Sequence, residues 1–211
     1  ATAVSWLWSA NGTGTAQTTT GTTAGNYTVV VTDAQGCESA PATGILTVNA
    51  LPAAAVNSEA ICDGDPAATF TATSATAVSW LWSANGTGTA QTTTGTTAGN
   101  YTVVVTDAQG CESAPATGIL TVNALPAAAV NSETICDGDP AATFTATSAT
   151  AVSWLWSANG TGTTQTTTGT TAGNYTVVVT DAQGCESAPA TGILTVNALP
   201  AAAVNSEAIC D

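Results

Sequence analysis

The chain has 211 residues and carries 14 carboxylates but no lysine, arginine or histidine, so its formal net charge at pH 7 is −14. Because no side chain can neutralise a phosphate, binding to nucleic acid or to an anionic membrane surface is strongly disfavoured. The histidine and lysine general bases of most enzymes are also missing, and we expect no catalytic activity.

The sequence is an internal repeat. The segment Ala-Thr-Ala-Val-Ser-Trp-Leu-Trp begins at Ala1, Ala75 and Ala149, which sets a period of 74 residues. A fixed period of this kind indicates repeated structural units, and the copies are nearly identical. We expect the array to continue beyond both ends. The predicted units are a partial repeat over 1–50 that lacks its first strands, complete repeats over 51–124 and 125–198, and the start of another over 199–211.

The first part of one complete unit predicts two strands with a turn between them. Residues 53–58 form a weak first strand, and the Asp-, Gly- and Pro-rich residues 62–66 form the turn. Residues 69–74 alternate, with Phe70 and Ala72 on one face and threonines on the other. This period of two is typical of a half-buried strand.

The next strand, over 78–83, carries most of the aromatic surface of the unit. Its alternation places Val78, Trp80 and Trp82 on one face, which we predict to be buried. Stacking of a sugar on the tryptophans is the alternative, but a tryptophan on this strand is the usual centre of an immunoglobulin-like core. The same interpretation applies to Trp154 and Trp156 in the next repeat.

The second part of the unit predicts three more strands, over 91–97, 102–106 and 117–123, with a turn at 107–110. Tyr101, and Tyr175 in the next copy, stand at the entrance to the middle strand of the three. This position predicts a tyrosine corner, in which the hydroxyl bonds to backbone a few residues upstream. Helices have little support, because no stretch keeps an amphipathic helical period. The predicted fold is therefore all-β, with tandem immunoglobulin-like β-sandwiches of about 74 residues each.

Three short strings recur in order in every complete unit: Ile-Cys-Asp-Gly-Asp at 61–65, Trp-Ser at 82–83, and Asn-Tyr-Thr-Val-Val-Val-Thr-Asp-Ala-Gln-Gly-Cys at 100–111. This combination resembles the Ig-like and PKD-like repeats of Bacteroidota cell-surface proteins. The resemblance implies a large secreted adhesin or a gliding-motility or fibre protein, often exported by the type IX route. The lack of basic residues departs from that family and excludes any site that the family would build from arginine or lysine.

Each period contains two cysteines, which in a small β unit indicate disulfides and an oxidising compartment. Three pairings are open. The one we predict lies within each unit, joining Cys62 to Cys111 and Cys136 to Cys185, with partners of Cys37 and Cys210 outside the chain. A second pairing joins Cys37 to Cys62, Cys111 to Cys136 and Cys185 to Cys210. The third joins Cys62 of one unit to Cys185 of the next, because the first turn and the last hairpin of such a sandwich lie at opposite ends.

Carboxylates flank the glycine of the first turn and are the candidate metal ligands. Asp63 and Asp65, with Asp137 and Asp139 in the next repeat, predict a Ca²⁺ site, since calcium prefers oxygen ligands. Capping of the turn by the same side chains is the alternative. No other cofactor is expected.

These features predict an extracellular or cell-surface stalk or fibre, in which neighbouring repeats of the chain are one another's partners. Other copies in a filament are further candidate partners. No run of eighteen apolar residues is present, and we expect no direct insertion into a membrane. The alternative is a repeated module that binds carbohydrates or another surface and gains affinity by repetition.

Overall fold

A computed structural model describes residues 2–209, and these residues form strands and turns without a helix. Within this range nothing helical is long and apolar enough to cross a membrane. The first repeat contributes one antiparallel sheet in the order β1-β2-β3. Its strands are β1 (Ala3–Ala10), β2 (Gly25–Asp33) and β3 (Ala42–Leu46).

The second repeat is a complete sandwich of two sheets. One sheet has the order β4-β6-β8 and the other the order β5-β10-β9-β7. All pairings are antiparallel except that of β5 with β10. Seven strands in these two sheets, with the first strand divided between them, form an immunoglobulin-like β-sandwich. The strands are β4 (Ala55–Val56), β5 (Glu59–Cys62), β6 (Ala68–Thr73), β7 (Ala77–Ala84), β8 (Thr92–Gly95), β9 (Gly99–Asp107) and β10 (Ala116–Asn123).

The third repeat has the same topology, with sheets β11-β13-β15 and β12-β17-β16-β14, so the fold is a tandem array of sandwiches as predicted. Its strands are β11 (Ala129–Val130), β12 (Glu133–Cys136), β13 (Ala142–Thr147), β14 (Ala151–Ala158), β15 (Thr166–Gly169), β16 (Gly173–Asp181) and β17 (Ala190–Asn197).

The core of each complete repeat lies between its two sheets. In the second repeat Phe70 stacks on Tyr101 with ring centroids 4.0 Å apart, and Trp82, Val103 and Leu120 pack around them. Stacked aromatic contacts add to the free energy gained from burying the rings. The third repeat copies this core around the Phe144–Tyr175 pair.

The prediction that Val78 of β7 faces the core is wrong. Val78 is 60% exposed, because a β-bulge sets both Ala77 and Ser79 against neighbouring residues of β9 and shifts the alternation by one. Ala77 takes the inner position and packs against the core. Alternation from Trp80 onward follows the prediction, with Trp82 buried.

The first strand, predicted over 53–58, contains only the two-residue β4, and β5, which the sequence did not predict, follows it and joins the other sheet. The break falls at Asn57, whose side chain takes the place of a strand neighbour. Its Oδ1 accepts a hydrogen bond from the backbone N–H of Thr71 at 2.7 Å, and its Nδ2 donates to the Thr69 carbonyl at 3.0 Å. The segment also runs so close to β10 that a Cβ at Gly118 would lie 2.0 Å from the Asn57 carbonyl oxygen.

Candidate functional site

A disulfide joins the second repeat to the third. Cys62, the last residue of β5, is bonded to Cys185, which follows β16, and their Cα atoms are 5.5 Å apart. The two residues are separated by 123 positions in the sequence. We call this bond the junction staple, because it ties the far end of one sandwich to the near end of the next.

The Cys62 side of the staple is a tight turn between β5 and β6. The Asp65 carboxylate accepts a hydrogen bond from the Cys62 N–H at 2.9 Å, and the Asp65 N–H donates to the Cys62 carbonyl at 3.0 Å. Gly64 has a φ of +89°, a conformation that costs glycine little. The Asp63 N–H donates to the Asn123 carbonyl at 2.8 Å, which fastens the turn to the end of β10.

The Cys185 side is the loop between β16 and β17, and Asp181 organises it. One carboxylate oxygen of Asp181 accepts hydrogen bonds from the N–H groups of Gln183 at 3.0 Å and Cys185 at 2.9 Å. The Asp181 N–H donates to the Cys185 carbonyl at 3.0 Å. Cys185 is thus held by its own backbone, and its side chain is fully buried. The role of this aspartate was missed from the sequence, although Asp followed by Gly before a cysteine is a turn signal.

The pairing predicted within each unit, Cys62 with Cys111 and Cys136 with Cys185, is therefore wrong. Cys62 lies beside Asn123, at the carboxyl end of β10, whereas Cys111 precedes the amino end of the same strand. An eight-residue strand spans about 25 Å, and bridged Cα atoms must lie within about 7 Å. The ends that meet are those of consecutive sandwiches, which is the third of the pairings considered above.

Cys37 and Cys136 are exposed thiols, and Cys111 is a half-buried one. The pairing of Cys37 with Cys62 and of Cys111 with Cys136 is therefore not formed either. The structure does not test whether Cys37 pairs outside the chain, and Cys210 lies outside the described residues. Cys37 and Cys111 occupy the position of Cys185 in their repeats, and Cys136 occupies that of Cys62.

The linker between the first and second repeats runs beside the loop of the second repeat that is equivalent to the Cys185 loop. A crevice of about 470 Å³ lies there between the linker 49–53 and the β9–β10 loop, represented by Asp107 and Gln109. The loop that carries Cys111 thus borders the linker from the preceding repeat.

The six aromatic residues assigned to the core differ in burial. Trp82, Tyr101, Trp156 and Tyr175 are at most 4% exposed. Trp80 and Trp154 are half-buried and pack against the core edge, and their indole N–H groups have no hydrogen-bond partner among the described residues.

The two buried tryptophans donate instead to the opposite loop, Trp82 to the Ala90 carbonyl and Trp156 to the Thr164 carbonyl, both at 2.8 Å. A sugar-stacking platform would need exposed ring faces, which Trp82 and Trp156 do not offer.

Tyr101 makes the hydrogen bond of a tyrosine corner. Its hydroxyl donates to the Thr97 carbonyl, four residues upstream, at 3.1 Å, and Tyr175 does the same with Thr171. The ring fits only because residue 95 is glycine, since a Cβ at Gly95 would lie 1.9 Å from the Tyr101 hydroxyl oxygen.

Two of the four aspartates proposed for calcium cap their turns. Asp65 and Asp139 accept hydrogen bonds from the N–H groups of Cys62 and Cys136. Within residues 2–209 no group of three or more acidic, cysteine or histidine side chains is arranged to hold a metal ion. Calcium binding at Asp63, Asp65, Asp137 and Asp139 stays a prediction, and a calcium titration of the melting temperature tests it: binding raises the temperature, and turn capping alone leaves it unchanged.

An apolar groove of about 680 Å³ lies on the inner face of the first sheet, against Trp8, Tyr27, Val29 and Leu46. The equivalent residues of the complete repeats, among them Trp82, Tyr101 and Val103, form the core and are covered by the second sheet. The groove is thus the exposed half of a sandwich core.

No protein-family model matches the chain, and no curated protein matches it. Solved structures that match the chain include the fibronectin(III)-like modules of Clostridium thermocellum CbhA, with 17% identity, a TM-score of 0.37, and coverage of 71% of this chain and 96% of that one. Extracellular domains 3–5 of Drosophila OTK have 14% identity, a TM-score of 0.40, and coverage of 92% and 86%. A three-domain fragment of titin has 14% identity, a TM-score of 0.38, and coverage of 82% and 75%.

Proposed function

We propose that the chain is a segment of an extracellular stalk or fibre in which immunoglobulin-like repeats are held in line by disulfides between neighbours, as part of a large surface adhesin or filament. The observation that carries this proposal is the Cys62–Cys185 bond, which spans two sandwiches. A bond inside one sandwich would stabilise that unit alone, whereas a bond across a junction also restrains the angle between units.

Two further features support an extracellular stalk. Structural disulfides persist in oxidising compartments and are rare in the cytosol. The net charge of −14, with no cation, makes each unit repel its neighbours, and like charge along an array opposes folding back. The resemblance to Bacteroidota surface repeats adds the expectation of a secreted protein.

Small-angle scattering of the purified chain tests the stalk. Three repeats in line, at about 30–40 Å each, have a maximum dimension of about 90–120 Å. Replacement of the staple by Cys62→Ser frees the junction and broadens the distance distribution, while Cys136→Ser, which removes an exposed thiol, leaves it unchanged. A compact particle of about 60 Å in the oxidised protein contradicts the proposal.

A second candidate function is a repeated carbohydrate- or surface-binding module. The observation that favours it is a pair of threonine hydroxyls on the outer face, Thr102 with Thr117 at 2.9 Å, which recurs as Thr28 with Thr43 and as Thr176 with Thr191. Regularly spaced weak sites gain affinity when they engage a surface together. Glycan-array binding that is lost on Thr102→Val with Thr176→Val supports this function, and absence of binding removes it.

A further inference from the structure

We propose that the junction staples make the stalk inextensible, because they carry tension from repeat to repeat and keep most of the chain out of the line of force. This inference rests on the proposed stalk and adds a mechanical property to it. The argument uses the position of each cysteine in the topology and the sequence distance that the staple closes.

Two unbridged cysteines, Cys111 and Cys136, each have the local geometry of one end of the staple. Cys111 is held by Asp107 through a hydrogen bond of 2.9 Å from its N–H, as Cys185 is held by Asp181. Cys136 is held by Asp139, as Cys62 is held by Asp65. Identical local geometry calls for the same kind of partner, which is a repeat of this sequence on the other side of the junction.

The register of the staple then fixes those partners. A turn cysteine bonds to the loop cysteine 123 residues later, so Cys136 pairs with the loop cysteine of a following repeat. Cys111 pairs with the turn cysteine of a preceding repeat. Wherever repeats flank this segment, each junction carries one staple.

Formation of each bond is a two-electron oxidation. Two thiols lose two protons and two electrons and form one S–S bond, and an external disulfide, such as oxidised glutathione, accepts them by thiol–disulfide exchange and leaves as two thiols. The oxidising compartment supplies this class of oxidant.

A pull on the chain ends reaches Cys62, crosses the S–S bond to Cys185 and continues to the end of the third repeat. The 123 residues between them are bypassed. At about 3.3–3.6 Å per extended residue, about 400–440 Å of chain cannot be drawn out while the staple is intact.

In a longer array the loops closed by consecutive staples overlap, and the shortest path for the force uses every second staple. The loop that closes at Cys111 is followed by the loop that opens at Cys136, with 25 residues between the two positions. Those residues extend to at most about 80–90 Å for every two repeats. Two folded repeats are already about 60–80 Å long, so complete unfolding scarcely lengthens the array.

Single-molecule pulling of the 211-residue chain through non-cysteine end tags tests the inference. The oxidised protein is expected to reach a final length shorter by about 400–440 Å than the protein pulled in a phosphine reductant. Cys62→Ser and Cys185→Ser each reproduce the reduced length, whereas Cys111→Ser and Cys136→Ser keep the oxidised one. Equal final lengths under both conditions overturn the inference. A length difference of about 160–180 Å for each complete repeat also overturns it, because that is the value expected for bonds within each unit.

A chain lengthened by one repeat at each end tests the overlap. Cys111 and Cys136 are expected to become unreactive to thiol reagents, and the reduced protein to extend several times further than the oxidised one. Persistence of both thiols contradicts the repeated staple. The scattering experiment reports on the stalk independently, so a rod-like particle that fails the pulling test retains the proposed function and loses only inextensibility.

Discussion

At the scale of single residues, glycines and one tyrosine determine how closely the segments of each sandwich pack. Gly118 allows the segment around Asn57 to cross β10, and Gly95 allows the Tyr101 ring to reach the Thr97 carbonyl. Both glycines are needed because the place of a side chain is occupied, by the Asn57 backbone at Gly118 and by the Tyr101 ring at Gly95. Their φ angles are not in the left-handed region, so the constraint is steric and not conformational.

The matched pair Gly118→Ala and Gly44→Ala tests this interpretation. Gly44 holds the same position in the first repeat, but nothing lies within 4 Å of its would-be Cβ. We expect Gly118→Ala to lower the free energy of unfolding of the second repeat by about 3 kcal/mol, because backbone must move. Gly44→Ala should change it by less than about 0.5 kcal/mol. Urea unfolding followed by tryptophan fluorescence measures both, and similar effects would argue against the steric explanation.

At the scale of elements, two loops at opposite ends of each sandwich are shaped by aspartates that accept backbone hydrogen bonds. Asp65 closes the β5–β6 turn, and Asp181 closes the β16–β17 loop, so both partners of the staple are positioned before they meet. Such preorganisation raises the effective concentration of one thiol near the other. Asp181 is itself 7% exposed, and its hydrogen-bond partners cannot readily turn to water instead.

Asp181→Ala should therefore weaken the staple. The variant leaves the N–H groups of Gln183 and Cys185 without their acceptor, at a cost of about 1–3 kcal/mol. In a glutathione redox buffer the Cys62–Cys185 equilibrium should shift toward the thiols. Asp181→Asn keeps an oxygen acceptor and should behave like the natural protein. Asp107→Ala makes the same change beside the unbridged Cys111 and should leave the Cys62–Cys185 equilibrium unchanged. An equal shift of that equilibrium in Asp107→Ala would contradict a local effect of Asp181.

At the scale of the whole molecule, the staple adds a covalent connection between two sandwiches that a linker already joins. The linkers contain proline, at Pro52 and Pro126, which ends strand pairing and stiffens the connection. A linker leaves two units free to rotate, whereas a second connection removes most of that freedom. In the proposed array, repetition of this arrangement would place two covalent connections at each junction.

Proteolysis at glutamate without reduction identifies the connectivity directly. Cleavage after Glu59, Glu112, Glu133 and Glu186 places Cys62 and Cys111 in fragment 60–112 and Cys136 and Cys185 in fragment 134–186. The staple predicts that these two fragments stay joined and separate on reduction, and that each carries one free thiol. Two separate fragments, each with an internal bond, would restore the pairing within units.

Reduction should also lower stability. In the chain-entropy view, a closed loop of 123 residues contributes at most about 5 kcal/mol, because the bond restricts the unfolded chain. We expect a lower urea midpoint for the reduced chain and for Cys185→Ser, measured by fluorescence. Cys37→Ser, at the equivalent unbridged position, serves as the control and should leave the midpoint unchanged.

The sequence by itself determined the 74-residue period, the all-β fold, and the tyrosine corner, because these depend on local alternation and on residues near one another in the chain. It did not determine the bulge that exposes Val78 or the division of the first strand at Asn57, since both depend on which strand lies alongside.

The cysteine pairing was decided by tertiary structure alone. Each cysteine has the same neighbours in every copy, so the sequence is compatible with partners 25, 49 or 123 residues apart. Only the parallel pairing of β5 with β10 places Cys62 at the far end of its sandwich, where the loop of the next sandwich arrives. A covalent bond requires two Cα atoms within a few ångströms, and that distance is set by how whole sandwiches follow one another.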